Sequence, residues 1–440
     1  MKAGMEVKTA EEAVQWVHSL LPFGIKPGLK RMEWMLEALG HPEQKLTAVH
    51  VAGTNGKGST VSFLRHILTA DGFSVGTFTS PYIEQFSERI SVNGVPISDH
   101  DLLQAAKRLK PIVEEVAQSD LGSPTEFEVL TAMMFYHFAE VAKPDICLIE
   151  VGLGGRLDST NVVMPVLSII TMIGHDHMHI LGDTLAEIAY EKAGIIKPGV
   201  PVISGVEGEE AYTVISETAR QIGSPLYQLN ETFFVESLQG RTFTYKEEKG
   251  EEAVRYQAGL YGAHQHKNAS LALKAVSLLS GSLKRQVGKE AKEIGIANTS
   301  WPGRFEIIQV NPPIVLDGAH NEEGFLALTT ALQERFSDKN IYVLLASTKE
   351  KDMNVLLKSF TTSGLEMAFS FTSFDFHRAA NAEDLFKQAP VKRKQVAADW
   401  QKALKTMMEN LGEQDVLVVT GSLYFISAVR QSLASHKEGM

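Results

Sequence analysis

Eight consecutive residues, Gly53-Thr54-Asn55-Gly56-Lys57-Gly58-Ser59-Thr60, bring together three glycines, three hydroxyls and one lysine. Glycines let backbone N–H groups turn toward phosphate oxygens. A helix N-terminus placed just after them adds a partial positive charge, and Lys57 supplies a full one. The hydroxyls of Ser59 and Thr60 can reach a phosphate or a Mg²⁺ ion. The spacing departs from the G-x-x-x-x-G-K-[S/T] pattern, because Val51 stands at the first glycine and Gly58 follows the lysine. Context carries the reading instead: the string lies between a strand expected over 47–52 and a helix expected over 61–70. Nucleotide binding is the expected chemistry, against the alternative of a glycine-rich turn that holds nothing.

Glu150 closes an apolar run, Ile146–Val151, and precedes Gly152-Leu153-Gly154-Gly155-Arg156-Leu157-Asp158. In open α/β sheets ligands gather at the carboxyl ends of strands. A carboxylate there suits Mg²⁺, which takes oxygen donors and sits against substrate phosphates; the alternative is a solvated strand-end acid. His175, Asp176, His177 and His179 follow a second run, Val166–Ile173. Alternate histidines without cysteine are a weak zinc signal, one imidazole in a Mg²⁺ shell is chemically less usual, and spacing does not choose among the three. Lys192 lies near the end of a helix expected over 184–195, where compensation of the helix dipole is the ordinary role.

The elements that must position these residues alternate between strand and helix, which implies α/β layers around a mainly parallel sheet. Strands are expected at 47–52, 73–79, 146–151 and 166–173, with helices at 61–70, 127–141, 184–195 and 264–279. Asn93-Gly94, between Ile90-Ser91-Val92 and Val95-Pro96-Ile97, is a hairpin signal. Periodicity breaks at Asn298-Thr299-Ser300-Trp301-Pro302-Gly303, as a linker would break it. A second series follows: strands at 314–316, 341–346 and 416–420, helices at 324–336 and 423–433. Two domains are expected, 1–298 resembling a P-loop ATPase and 299–440 a smaller Rossmann-like α/β unit.

A chain of 440 residues accommodates two or three domains. The net charge of −11 argues against a nucleic-acid partner, which needs a basic face. Cys147 is the lone cysteine, so no intramolecular disulfide forms, and its apolar neighbours make it a small buried hydrophobe. The first residues carry no apolar signal core, and no apolar stretch approaches the roughly 20 residues that span a bilayer. A cytoplasmic protein without a membrane partner is expected.

Read in order, the strings resemble the folylpolyglutamate synthase/dihydrofolate synthase family, relatives of the Mur cell-wall ligases. The resemblance runs over nearly the whole chain. It rests on residues 51–60, Thr79-Ser80-Pro81-Tyr82, Glu88-Arg89-Ile90, Glu150 to Asp158, and Asp176-His177 before Leu181-Gly182. It continues through Glu191-Lys192-Ala193-Gly194, Trp301-Pro302-Gly303-Arg304, Leu316-Asp317-Gly318-Ala319-His320-Asn321 and Thr420-Gly421-Ser422-Leu423-Tyr424-Phe425. The resemblance implies that Lys57 and its neighbours hold the ATP phosphates, and that Ser80, Glu150 and His177 ligate Mg²⁺. It implies that Lys192 is carbamylated by CO₂ and ligates metal as a carboxylate-like group. By position, Asn268, Arg304 and Asp317 match nucleotide contacts, and His320 lies in the same motif. Ser123-Pro124-Thr125-Glu126-Phe127 and Leu157-Asp158-Ser159 match segments that contact the pterin substrate. Two departures stand out. Tyr82 replaces the histidine of many relatives, and Ser123-Pro124-Thr125 lacks the aromatic seen in some bifunctional relatives, which weighs against dihydropteroate more than against folate.

The implied reaction is ATP-dependent ligation of L-glutamate to tetrahydrofolate or dihydropteroate through an acyl phosphate, by a monomer whose domains close over the site. Lys57, Lys192 and His320 are the expected catalytic residues. One rival is a Mur-type ligase acting on a peptidoglycan precursor; little chain precedes Gly53 to form its nucleotide-sugar domain. The other is a nucleotide-binding regulator without ligase chemistry, which needs the phosphate loop but not Glu150, His177 and Lys192 together. Lys351, Asp352, His377 and Arg378 fall in second-domain loops, where solvated surface charge is the ordinary reading.

Overall fold

The computed structural model describes residues 7–21, 24 and 26–438. The chain divides into two compact units. One comprises 1–236, 244–257 and 267–299; the other comprises 237–243, 258–266 and 300–440.

The first unit is built on β1 (Ala48–Ala52), β2 (Val75–Phe78), β3 (Ile90–Val92), β4 (Val95–Pro96), β5 (Ile146–Glu150), β6 (Leu167–Ile170), β7 (Val202–Ser204) and β8 (Leu226–Gln228). They form one sheet in the order β4-β3-β2-β5-β1-β6-β7-β8. The hairpin β3–β4 and its pairing to β2 are antiparallel; the other pairings are parallel. Every residue of β1, β5 and β6 is buried, which is why these strands read as continuous apolar runs rather than alternating ones. Cys147 lies in β5 fully buried, with its thiol pushed up to about 12 by burial.

Helices cover the sheet because their apolar stripes have nowhere else to go. Helices Ala10–His18, Lys30–Ala38, Asp99–Ala117 and Glu126–Tyr136 pack into one core with Phe78, Cys147 and Ile149. Helices Leu185–Ala193 and Glu209–Gln221 pack into another with Ala52, Ile170 and Val202. The helix after the phosphate loop runs Lys57–Ala70, starting four residues before its apolar periodicity does. Its first turn is polar because that turn is the phosphate loop's own exit. The helix expected to reach Val141 is α-helical only to Tyr136 and ends in a π-helical turn, His137–Ala142.

A three-stranded sheet, β9 (Phe234–Ser237), β10 (Thr242–Lys246) and β11 (Val254–Gln257), was not among the expected elements. Glu247, just past the end of the central strand β10, takes hydrogen bonds from Lys274 at 2.7 Å, Tyr245 at 2.7 Å and Ser277 at 2.9 Å.

The second unit holds β12 (Glu306–Val310), β13 (Pro313–Leu316), β14 (Asn340–Leu345), β15 (Met367–Phe371), β16 (Lys394–Val396) and β17 (Asp415–Thr420). Their order is β12-β13-β17-β14-β15-β16, antiparallel only between β12 and β13. Phe325, Leu332 and Phe360 fill one of its cores, Phe425, Ile426 and Leu404 another. No helix among the described residues is long and apolar enough to cross a membrane.

One ion pair ties the N-terminal helices to the rest of the first unit. Arg31 Nε donates to both oxygens of Glu128, at 2.9 and 3.1 Å, and the Glu128 side chain is 2% exposed. Glu128 in turn takes the N–H of Thr125 at 2.7 Å, closing the capping box of helix Glu126–Tyr136. Arg31→Met leaves a buried carboxylate short of its cation and should cost about 3 kcal/mol in denaturant unfolding. A loss below about 1 kcal/mol would show that the capping hydrogen bonds alone satisfy Glu128.

Candidate functional site

The phosphate loop is held in shape from three sides. Gly53 adopts φ +149°, and a Cβ there would run into Thr171 Oγ1. Gly56, at φ +87°, faces the buried Asn268 amide, whose oxygen would lie 2.5 Å from a Cβ there. These two positions therefore need glycine for room as well as conformation. Thr171 Oγ1 donates to Asn55 O at 2.6 Å. Thr54 Oγ1 donates to Gly174 O and accepts from Gly174 N, both at 3.0 Å. The loop leading to His175, Asp176 and His177 is thereby fastened to the phosphate loop. Lys57 opens the fourteen-residue helix, and its Nζ lies over the loop carbonyls of Gly53 (2.9 Å) and Thr54 (3.2 Å). Gly58 follows in the first turn, with Ser59 and Thr60 buried behind it.

Parallel pairing sets Glu150 level with Val51, two residues before Gly53. Glu150 is buried, and its Oε2 accepts the N–H of Ser80 at 3.2 Å. A carboxylate and a hydroxyl-bearing residue thus meet beside the phosphate loop. Among the described residues no three His, Cys, Asp or Glu side chains converge as a closed metal shell. The donor set instead fits Mg²⁺, which takes one or two carboxylates and fills its shell with phosphate oxygens and water. His177 caps the short helix Met178–Leu181 from a left-handed conformation, with an exposed ring 3.9 Å from Asp176 Oδ2.

Lys192 is not the surface lysine that its place in the helix suggested. It is 3% exposed. Burial, and then the charge of Lys57, lower its pKa to about 7, against the opposing pull of Asp176 and Asp158. A large share of this amine is therefore neutral, and nucleophilic, near neutral pH. The helix end that carries it packs directly on the loop after Glu150: a Cβ on Gly155 would press on Glu191 O and Lys192 Cα, and one on Gly194 would strike Arg156. Arg156 adds an ion pair to Glu191 at 2.7 Å.

Of the two segments expected to meet a pterin, one packs on the start of that same loop and the other forms its end. Ser123 and Pro124 lead to Thr125, which caps helix Glu126–Tyr136. Phe127 lies against Gly152, where no Cβ would fit, with the Arg89 guanidinium 5.7 Å from its ring centre. Arg89 also pairs with Glu126 at 3.0 Å. Leu157 is exposed, whereas Asp158 and Ser159 are buried. In the second unit, Asp317 accepts from the N–H groups of Phe305 (2.7 Å) and Ala319 (2.9 Å). Burial raises its pKa, and Arg304 beside it works in the opposite direction. Arg304 packs on Gly318, and His320 Nδ1–H donates to Gly318 O at 2.8 Å, so these three residues meet around one glycine. Asp352 caps helix Met353–Leu356 and Arg378 pairs with Glu350 at 3.5 Å.

Sequence reasoning gave no role to Thr171, which braces the phosphate loop, and none to Arg89 beyond its place in a motif, although its guanidinium lies between the rings of Phe86 and Phe127. Thr171 was legible as the hydroxyl that ends an apolar strand; nothing near Arg89 in sequence pointed to Phe127.

The chain matches two family models, the Mur ligase middle domain over residues 51–276 and the Mur ligase glutamate ligase domain over 303–423. It is 46% identical to the dihydrofolate synthase/folylpolyglutamate synthase of Bacillus subtilis, across 96% of this chain and 99% of that protein. Its structure is similar to folylpolyglutamate synthase of Thermotoga maritima, with TM-score 0.83, 32% identity and 97% of both chains covered. It is also similar to FolC of Escherichia coli in complex with DHPP and ADP, with TM-score 0.88, 25% identity, and 99% and 100% covered.

The depressed pKa of Lys192 gives a signed stability prediction. Between about pH 7 and the ordinary lysine value of 10.5, the unfolded chain keeps a proton that the folded chain has released. Stability conferred through this group therefore rises with pH across that window and is lost as pH falls toward 7. Relative to Lys192→Met, the wild-type protein should gain unfolding free energy from about pH 7 to about pH 10 in urea titrations. Parallel pH profiles for the two proteins would contradict a buried, neutralised amine.

Proposed function

The chain belongs to the folylpolyglutamate synthase/dihydrofolate synthase family of Mur-type ligases, and on that premise we propose that it ligates L-glutamate to folate carboxylates at the expense of ATP. Tetrahydrofolate, extended to polyglutamates, is the first acceptor, and dihydropteroate the second; the double name of the Bacillus subtilis relative supports both. The protein acts as a cytoplasmic monomer in this reading. The observation that carries the reading is the meeting, at one sheet edge, of the phosphate loop with Lys57, the Glu150–Ser80 pair and the buried Lys192.

A carboxylate and an amine do not condense unaided in water. A carboxylate oxygen of the folate attacks the γ-phosphorus of ATP, ADP leaves, and an acyl phosphate results. The glutamate amine then attacks the acyl carbon, the amide bond forms, phosphate departs, and the amine loses its proton. Phosphoryl transfer is served mainly by positioning and charge neutralisation. The backbone N–H groups of the loop Gly53–Gly58 and the helix end at Lys57 hold the phosphates, with Asn268 steadying Gly56. Lys57 must leave its carbonyl partners, Gly53 and Thr54, to reach them. Glu150 and Ser80, with His177, are the residues that hold Mg²⁺, which when bound neutralises phosphate charge. Addition of CO₂ to the neutral amine of Lys192, with loss of one proton, makes a carbamate and puts an anionic oxygen donor in the place of the amine. Ser123–Phe127 and Leu157–Ser159 border the folate. In the second unit this reading assigns Arg304 and Asp317 to the nucleotide and His320 to catalysis.

Lys57→Ala should lower kcat by roughly 10²–10³-fold while leaving the thermal melt unchanged; near-normal turnover would refute the phosphate-loop assignment. The reaction itself is read by Mg·ATP-dependent phosphate release with glutamate, supplying tetrahydrofolate in one reaction and dihydropteroate in another. Release with both marks a bifunctional enzyme and release with tetrahydrofolate alone a dedicated polyglutamate synthase. Release with neither overturns the proposal.

A further inference from the structure

His50 stands in the middle of β1, three residues before the phosphate loop, and is fully buried. A buried imidazole inside an apolar strand needs a reason. Its Nε2 lies 2.8 Å from Thr160 Oγ1, and Thr160 Oγ1 lies 2.5 Å from Asp158 Oδ1. Asp158 also accepts the N–H of Thr160 at 3.0 Å through Oδ1 and the N–H of Leu153 at 2.8 Å through Oδ2. The chain thus joins the strand that launches the phosphate loop to the loop that follows Glu150.

The direction of the hydrogen bonds can be worked out. Burial raises the Asp158 pKa, while the hydrogen bonds from the Thr160 hydroxyl and from the Thr160 and Leu153 N–H groups oppose that shift and favour the acceptor-only carboxylate. The Thr160 hydroxyl must then donate to Asp158, which leaves its oxygen lone pairs to accept from His50 Nε2–H. Burial holds the His50 pKa down to about 3, so the ring is neutral and carries one proton. That proton is therefore on Nε2. His50 Nδ1, buried and with no hydrogen-bond partner, is left as a bare lone pair. An unmet acceptor is the less costly of the two possibilities, because orphaned buried N–H groups are the rarer kind.

We propose that His50 and Thr160 are positioning residues for the folate: the directed chain from His50 through Thr160 to Asp158 fixes the loop Gly152–Ser159 against β1. Neither residue touches substrate or nucleotide. They act through Asp158, whose carboxylate gathers the Leu153 and Thr160 N–H groups and so sets where Leu157 and Ser159 lie. The proposal rests on the folate reading above, since that reading makes Leu157–Ser159 a substrate border.

Two measurements test it. The first uses wild-type protein and needs no variant: long-range ¹H–¹⁵N NMR of the histidine rings should show His50 as the Nε2–H tautomer. An Nδ1–H tautomer overturns the chain as described, whatever the substrate proves to be. The second is kinetic. Thr160→Val and His50→Leu should raise KM for the folate acceptor by about tenfold while KM for ATP stays within about twofold. Thr160→Ser and His50→Gln, which keep the hydroxyl and an N–H donor, should restore the folate KM. A residue that merely stabilises the fold would lower the melting temperature and leave the folate KM of the folded enzyme unchanged, and that result overturns the positioning role. Absence of folate-dependent turnover in the wild-type protein would instead refute the parent reading and leave the tautomer result standing.

Discussion

Parallel pairing of β1 with β5 on one side and β6 on the other sets Val51 level with both Glu150 and Ile169. All three strands point the same way, so their exits lie at one edge of the sheet, where ligands collect in open α/β folds. From those exits come the phosphate loop, the loop that begins after Glu150 and the loop that carries Asp176 and His177. Register is strongly specified because every residue of the three strands is buried, and a slip would change which side chains face each core. Chemistry here is inherited from strand register.

What the edge collects is charge in a poorly solvated place. Lys57 and Lys192 bear on each other, and Asp158 and Asp176 offset part of that repulsion. Two ammonium groups near one another in a buried setting cannot both stay protonated at little cost. Burial first, and then this repulsion, depress the pKa of Lys192 and leave the full positive charge on Lys57, beside the loop that receives the anionic phosphates. Small residues make this crowding geometrically possible. Gly53 and Gly56 admit Thr171 and Asn268, and Gly152 admits the ring of Phe127. Each of these contacts joins segments far apart in sequence.

The legibility of the sequence followed the physics of each feature. The central strands and the helices after them were readable because long apolar runs and 3.6-residue periodicity are local properties. The hairpin at Asn93-Gly94 was readable for a similar reason, since the turn residues state their own backbone conformation. β15 and β16 were not readable: β16 is three residues long and mostly polar, and it is a strand because β15 offers it hydrogen bonds. β9 to β11 were passed over although β10 alternates, with Phe243 and Tyr245 buried between Thr242, Thr244 and Lys246; the strands are short, and only their pairing with one another makes them a sheet.

By itself the sequence determined the α/β class, the place of the phosphate loop, the strand-end carboxylate and, through an ordered series of motifs, the family. Those are properties of contiguous residues. Tertiary structure alone decided that Lys192 is buried rather than solvated, because burial depends on Gly155 and Arg156 packing over the helix end. It decided that Asn268 and Thr171 brace a loop more than a hundred residues away in sequence. It decided, too, that His50 of β1 and Asp158 of a distant loop share a hydroxyl, since hydrogen bonds at 2.8 and 2.5 Å are set by where the folded strands end and not by the order of residues along the chain.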